Sequence, residues 1–282
     1  MVEIGRKNLL RVVREAPPGF YLDAGGLGEV LLPRRYATAD IAPGGSIEVF
    51  LYRDSEDRLI ATTETPRASV GDFTALKVTD VHPRAGAFLD WGLPKDLLLP
   101  LREQVRRVRR GDIVVVCVVL DERSGRIIAS ARLDRHLNRT PPNYAERQRV
   151  HLLIAAATPL GYRAIVENAH EGLLYKGELG SPLSIGDEVD GFVTAIRTDG
   201  KIDLRLDLSG YGRVAPLARK IIEALETGRG RMTFGDHSSP AEIREKFGAS
   251  KKAFKQAVGS LLRQNKIRIT HDGIELSHAP RA

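Results

Sequence analysis

One order of sequence words occurs three times in the first 210 residues, and it constrains the fold more than any single motif does. The second pass is the clearest. It runs Gly71-Asp72-Phe73, Gly86-Ala87-Phe88-Leu89-Asp90, Asp96-Leu97-Leu98-Leu99-Pro100, Gly111-Asp112-Ile113, and then Ser124-Gly125-Arg126-Ile127-Ile128-Ala129-Ser130. The first pass answers with Gly19-Phe20-Tyr21-Leu22-Asp23, Glu29-Val30-Leu31-Leu32-Pro33, Gly45-Ser46-Ile47 and Arg58-Leu59-Ile60-Ala61-Thr62. The third has Gly161-Tyr162-Arg163-Ala164-Ile165-Val166, Glu171-Gly172-Leu173-Leu174-Tyr175, Gly186-Asp187-Glu188-Val189 and Gly200-Lys201-Ile202-Asp203-Leu204.

Five short strands per pass, separated by turn residues, predict a small barrel. In the third pass Val189, Gly191, Val193 and Ala195 alternate onto one strand face. A repeat of about 65–75 residues suits the OB class, in which strands two and three form the open binding face. The expected fold is therefore mainly β with a C-terminal α+β domain: three tandem five-stranded OB barrels at 1–65, 66–140 and 148–208, then a smaller domain at 213–280.

From Gly71-Asp72 to the Arg126-to-Ser130 strand, the chain resembles the S1 RNA-binding domain. The order of three such units and a winged helix resembles the conserved virulence factor B (CvfB) family. Glu171-Gly172-Leu173-Leu174-Tyr175-Lys176 and Asp199-Gly200-Lys201-Ile202-Asp203-Leu204 carry that likeness most closely. The resemblance implies RNA binding coupled to control of gene expression, in the setting of virulence regulation, without catalysis.

S1-type barrels hold single strands by stacking bases on aromatics of strands two and three, with cations along the backbone. Neighbouring strand residues point to opposite faces, so one of Phe20 and Tyr21 is outside, and likewise one of Tyr162 and Arg163. In the second unit Phe88 and Arg126 are the candidates. Where such domains commonly carry His on strand three, the first two units have Pro33 and Pro100, which offer neither a stacking ring nor a donor. Only the third has an aromatic there, Tyr175, with Lys176 beside it. Phe20, Phe88 and Trp91 also suit a barrel interior.

After residue 212 the apolar period lengthens to that of a helix, with Leu217, Ile221, Ile222 and Leu225 on one face. Met232-Thr233-Phe234 reads as a short extended piece. Ser239-Pro240-Ala241-Glu242 predicts a capped helix start, Gly248 its end, and Ser250 the cap of the next helix. That helix buries Phe254, Ala257, Val258, Leu261 and Leu262 and carries Lys251, Lys252, Lys255 and Arg263 off the stripe. Two strands joined through His271-Asp272-Gly273 would form the wing.

Charge separates the two parts. Residues 1–210 hold 29 basic and 29 acidic side chains, whereas residues 211–282 hold 14 against 7, the whole excess of +7. Residues 102–149 still carry twelve arginines against six acids. Both regions suggest a polyanionic partner. The lone Cys117 lies in an apolar strand and excludes an internal disulfide. The polar N-terminus and the shortness of every apolar run lead us to expect a cytoplasmic protein without membrane contact. The histidines lack metal spacing, no phosphate-loop run occurs, and Asp54, Glu56 and Asp57 read as a turn. Neither a cofactor nor a catalytic constellation is expected. The expected partner is single-stranded RNA. The alternatives are DNA, through the winged helix, and ribosomal or RNA-processing proteins.

Overall fold

In the computed structural model the described residues are 2–176, 179, 182–206, 216–228, 230–235, 237–263 and 265–277, without the side chains of Pro216, Lys252, Ala253, Gln256 and Arg263. The three repeats form three units of one strand order, antiparallel except where strands three and five pair in parallel in the first and third. The first comprises β1 (Lys7–Ala16), β2 (Gly19–Asp23), β3 (Glu29–Pro33), β4 (Ser46–Arg53) and β5 (Leu59–Thr62). The second comprises β6 (Phe73–His82), β7 (Gly86–Asp90), β8 (Leu97–Pro100), β9 (Ile113–Asp121) and β10 (Arg126–Ser130). The third comprises β11 (Arg149–Ala157), β12 (Gly161–Val166), β13 (His170–Tyr175), β14 (Glu188–Ile196) and β15 (Ile202–Arg205).

The glycine opening the second strand of each unit has a steric cause. A Cβ on Gly19, Gly86 or Gly161 would meet the carbonyl oxygen of Leu32, Leu99 or Leu174 at 2.1, 2.1 and 1.8 Å. Each glycine faces the last residue of strand three, so Gly19 pairs with Pro33, Gly86 with Pro100 and Gly161 with Tyr175. The three positions compared in the sequence are thus one structural position. In the fourth strand of the third unit, Val189, Gly191 and Val193 turn inward, but a register shift between Val193 and Ala195 puts Ala195 outside. A bulge inserts one residue and reverses the alternation beyond it.

Closure differs between units. In the first and third, strands three and five pair, over Leu31–Ile60 alone in one and over Gly172–Ile202 to Leu174–Leu204 in the other. In the second, β8 and β10 lie side by side without ladder hydrogen bonds, so its sheet is not closed by pairing. The small pair Ala164–Gly172 stands where Leu22–Val30 and Leu89–Leu97 stand in the other units. A Cβ on Gly172 would strike Leu204 Cδ1 at 2.4 Å, so the missing side chain admits Leu204 to the core and lets β13 meet β15.

The barrels share apolar seams. Trp91, 3% exposed, packs edge-on against Phe50 and Tyr52 of the first barrel, with its Nε1 donating to Lys95 O at 2.6 Å. Phe73, Val115 and Cys117 of the second barrel form a cluster with Leu153 and Ile165 of the third. The chain between these barrels is anchored: Asn138 N donates to Ala169 O, and His170 lies between the Tyr144 hydroxyl and Thr140 O.

The C-terminal unit contains α1 (Pro216–Thr227), β16 (Arg231–Met232), α2 (Pro240–Phe247), α3 (Lys251–Arg263), β17 (Ile267–Thr270) and β18 (Gly273–Leu276). Its sheet order is β16-β18-β17, the winged-helix arrangement. Ser239 caps α2 in a full capping box with Glu242, and Gly248 ends it at φ 66°. Ala218, Ile221, Leu225, Phe254, Ala257, Val258 and Leu261 fill the core. Leu262, expected in that stripe, is 40% exposed. At 100° per residue it falls about 90° from the stripe's centre.

Candidate nucleic-acid interface

The ladder registers define one outward platform per barrel. Tyr21 pairs with Leu31, Phe88 with Leu98, and Arg163 with Leu173, so Tyr21, Phe88 and Arg163 occupy equivalent positions on strand two. No barrel combines an aromatic there with an aromatic at the end of strand three. The first two have the strand-two ring and a proline; the third has an arginine and Tyr175.

In the first barrel Phe20 is a core residue, 6% exposed, and is corrected from a candidate contact to a packing residue. Tyr21 is the outward member of the pair. The Arg14 guanidinium lies 3.7 Å from its ring centroid and is held by Glu29 at 2.8 Å. One face of the ring is therefore already covered by a cation of the same chain.

In the second barrel Phe88 and Arg126 line a groove of about 460 Å³ against the first barrel, with Trp91 and Lys95. The β4–β5 hairpin of the first barrel enters this region. Arg126 Nε donates to Asp57 Oδ1 at 2.9 Å, Arg53 Nε to Gly125 O at 3.2 Å, and Lys95 Nζ to Arg53 O and Asp54 O. The Arg126 hydrogen bond holds the Asp57 carboxyl below the usual carboxylate range. Arg126 is thus committed within the chain, because the hairpin supplies its carboxylate. This interbarrel clasp was not legible in the sequence, where Asp57 and Arg126 are far apart.

In the third barrel Tyr162 is buried, 7% exposed, in the core cluster, and leaves the candidate contacts for that reason. Arg163 faces outward, yet its Nη2 donates to Glu171 at 2.5 Å and Asp134 at 2.6 Å. Partial burial opposes its charge, and the two carboxylates nonetheless raise its pKa. Tyr175 is half-buried, and Lys176 beside it is exposed. The Tyr175 hydroxyl donates to Asp203 Oδ1 at 3.1 Å and accepts from Arg197, which itself pairs with Asp203 at 2.8 Å. Arg197 was missed in the sequence. Its signal was its position just before the Asp199-Gly200 turn, which returns the chain so that Asp203 faces it.

In the winged helix Lys251 and Lys255 lie one turn apart on α3, half-buried and exposed respectively. The side chains of Lys252 and Arg263 lie outside the described residues, as do Asp207 and the segment from Ser209 to Gly212. Cys117 is buried and its thiol is pushed up to about 12, first by burial and then by Asp72, so it is protonated at neutral pH. Among the described residues no group of three His, Cys, Asp or Glu side chains converges as metal ligands, and no helix is long and apolar enough to cross a membrane.

Residues 4–64 match the S1 domain family, and residues 219–276 match the CvfB-like winged helix domain family. The chain is 28% identical over 275 residues to the uncharacterized protein YitL of Bacillus subtilis, covering 93% of this chain and 90% of that one. It is 23% identical over 246 residues to conserved virulence factor B of Staphylococcus aureus, covering 84% and 81%. It is also similar to a solved multidomain protein with nucleic acid binding domains from Streptococcus pneumoniae: 25% identity, 97% and 98% coverage, TM-score 0.45. The Staphylococcus aureus relative carries the name of the family that the repeat and its winged helix resemble. The matched domains belong to nucleic-acid-binding rather than catalytic families, and nucleic-acid binding is the activity they support.

Proposed function

We propose that this chain, an S1 domain at one end and a CvfB-like winged helix at the other, is a post-transcriptional regulator that binds single-stranded RNA in the cytoplasm. Its working units are barrels at 1–65, 66–140 and 148–208 and a winged helix at 213–280. The RNA lies on the third barrel and the winged helix together. One observation carries this reading: among the three equivalent strand-three positions, only Tyr175 is aromatic, and it is half-exposed, with exposed Lys176 next to it in the chain and its hydroxyl bonded to Arg197. Bases stack on such rings without sequence preference, each contributing about 1–3 kcal/mol. Exposed Lys255, with Lys251, Lys252 and Arg263 on the same helix, supplies positive charge along the path, while Arg163 offers a contact only where RNA displaces Asp134 or Glu171. Tyr21, Phe88 and Arg126 are secondary contacts, since Arg14, the interbarrel groove and Asp57 engage them first.

Filter binding with matched single-stranded RNA, single-stranded DNA and duplex DNA at one salt concentration tests the proposal. Preference for the RNA is expected. Tightest binding to duplex DNA would replace it with a transcriptional role for the winged helix. A protein partner that survives nuclease treatment, with no nucleic-acid binding, would replace it with an adaptor role on ribosomes or RNA-processing machinery.

A further inference from the structure

Several arginines of the barrels are paired with carboxylates. Arg14 pairs with Glu29, Arg58 with Asp54, Arg67 with Asp90, Arg126 with Asp57 and Arg149 with Asp190. The connection between β8 and β9 is different. Arg106, Arg107, Arg109 and Arg110 are all exposed, and among the described residues none has an ion-pair partner. The carboxylates nearby in sequence hold groups other than these guanidiniums. Glu103 accepts from Ser130 Oγ at 2.7 Å, Asp112 accepts from the Arg109 backbone N–H at 3.0 Å, and Asp121 holds Arg102 at 3.1 Å. Val108, in the middle of the four, is 8% exposed and anchored in the core of the second barrel. The anchor fixes the loop and leaves its four guanidiniums in solvent, where like charges repel unless an anion joins them.

Beside this loop lies a second groove of about 460 Å³, between the second and third barrels. Val105, Ile113, Ala155 and Ala156 contribute an apolar floor, with Arg106 and Arg163 among its polar lining. The two barrels meet closely here, since a Cβ on Gly186 would touch Ala75 Cβ at 2.9 Å and Ile113 Cγ2 at 3.0 Å. Gly186 has φ +94°, so both the space and the backbone require glycine.

We infer that the Arg106–Arg110 loop and the groove beneath it form a further binding site for single-stranded nucleic acid, distinct from the strand-two and strand-three faces of the barrels. The loop takes phosphates and the groove takes bases, and a strand lying there crosses the junction between the second and third barrels. A single strand can turn its bases onto an apolar floor while its phosphates meet guanidiniums. A duplex keeps its bases stacked inside and makes no use of the floor. The inference rests on the nucleic-acid reading above and adds a site to it.

The test uses the full chain with Arg106→Gln, Arg107→Gln, Arg109→Gln and Arg110→Gln, titrated with fluorescein-labelled oligouridylate of about 30 nucleotides, enough to span several OB folds at roughly 4–16 nucleotides each. Log affinity is followed against log salt, where each phosphate neutralised contributes a slope of about −0.7. With two or more arginines on phosphates, the slope becomes shallower by at least about 1.4. If the two lines meet at 1 M salt, binding at 0.1 M is then roughly 25-fold weaker. Near-ultraviolet circular dichroism of buried Trp91 reports the fold. Should the fourfold variant not fold, Arg107→Gln with Arg109→Gln replaces it, with an expected slope change of about 0.7–1.4. A parent that binds oligouridylate and a folded variant of identical slope overturn this site and leave the function proposal standing. A parent that binds no oligouridylate overturns both. Arginine-dependent binding to phosphatidylserine vesicles in place of oligouridylate also overturns the site, because the loop would then be a lipid contact.

Discussion

Tyr175 combines a ring at the surface with a hydroxyl held by Asp203 and Arg197. Tyr175→Phe keeps the ring and should retain most of the affinity for single-stranded RNA. Tyr175→Ala should lose about 1–3 kcal/mol. It should lose more than Phe88→Ala, whose ring lies in the interbarrel groove; equal losses in folded proteins would show that the third barrel has no privileged role. His136 supplies a pH dependence. Burial lowers its pKa, Glu103 opposes this and Arg135 adds to it, and its Nε2 is buried without a hydrogen-bond partner among the described residues. The folded protein thus favours the neutral ring more than the unfolded chain does. Its contribution is complete above the ordinary histidine range and is lost as pH falls through about 6.5 towards the depressed folded value. Thermal melts at pH 7.5 and 5.5 should show a larger loss for the parent than for His136→Gln. An equal loss would mean that His136 does not titrate differently on folding.

At the scale of elements, the junctions matter more than the strands. The β4–β5 hairpin reaches the second barrel through Arg53 and Asp57, and Trp91 at the end of β7 packs against Phe50 and Tyr52 on β4. Replacing a buried tryptophan by alanine typically costs about 3–5 kcal/mol, and each aromatic pair contributes about 0.5–1.5 beyond burial. Trp91→Ala should therefore lower the denaturant midpoint strongly and separate the unfolding of the first barrel from that of the second. A loss below about 1 kcal/mol would show that the seam is held elsewhere. The sequence assigns the outward-facing residues of strand two only as pairs. Period two says that one of Phe20 and Tyr21 faces out, but which one depends on where the glycine at the start of the strand sets the phase.

For the whole molecule, the charge excess lies in the last quarter and the platform aromatic in the third barrel. Binding by both at once makes the second contact intramolecular, with an effective concentration that can reach millimolar when the connection is short. In the full chain, Lys251→Glu with Lys252→Glu and Lys255→Glu should weaken binding to a long RNA by about 10²-fold or more, and should weaken binding to a short oligonucleotide confined to the barrels much less. Equal effects on both lengths would indicate a general loss of charge attraction rather than a bridged strand.

The repeat, the five-strand order, the winged-helix punctuation and the partition of charge are all written in the order of residues. These depend on local matters: glycine where a Cβ would strike a carbonyl, alternation along a strand, a serine and glutamate closing a cap. Tertiary structure alone decided which outward groups remain available. Arg126 and Arg163 look alike in sequence to Arg106 and Arg110, yet the first two are neutralised by Asp57, Asp134 and Glu171, none of them an immediate chain neighbour. A salt bridge across a barrel junction depends on how two finished sheets pack, and no local period encodes that. The Arg-Arg-Val-Arg-Arg run was plain to read, but that no carboxylate among the described residues pairs with its guanidiniums came only with the structure, where Val108 sits in the core and Glu103 and Asp121 hold other groups.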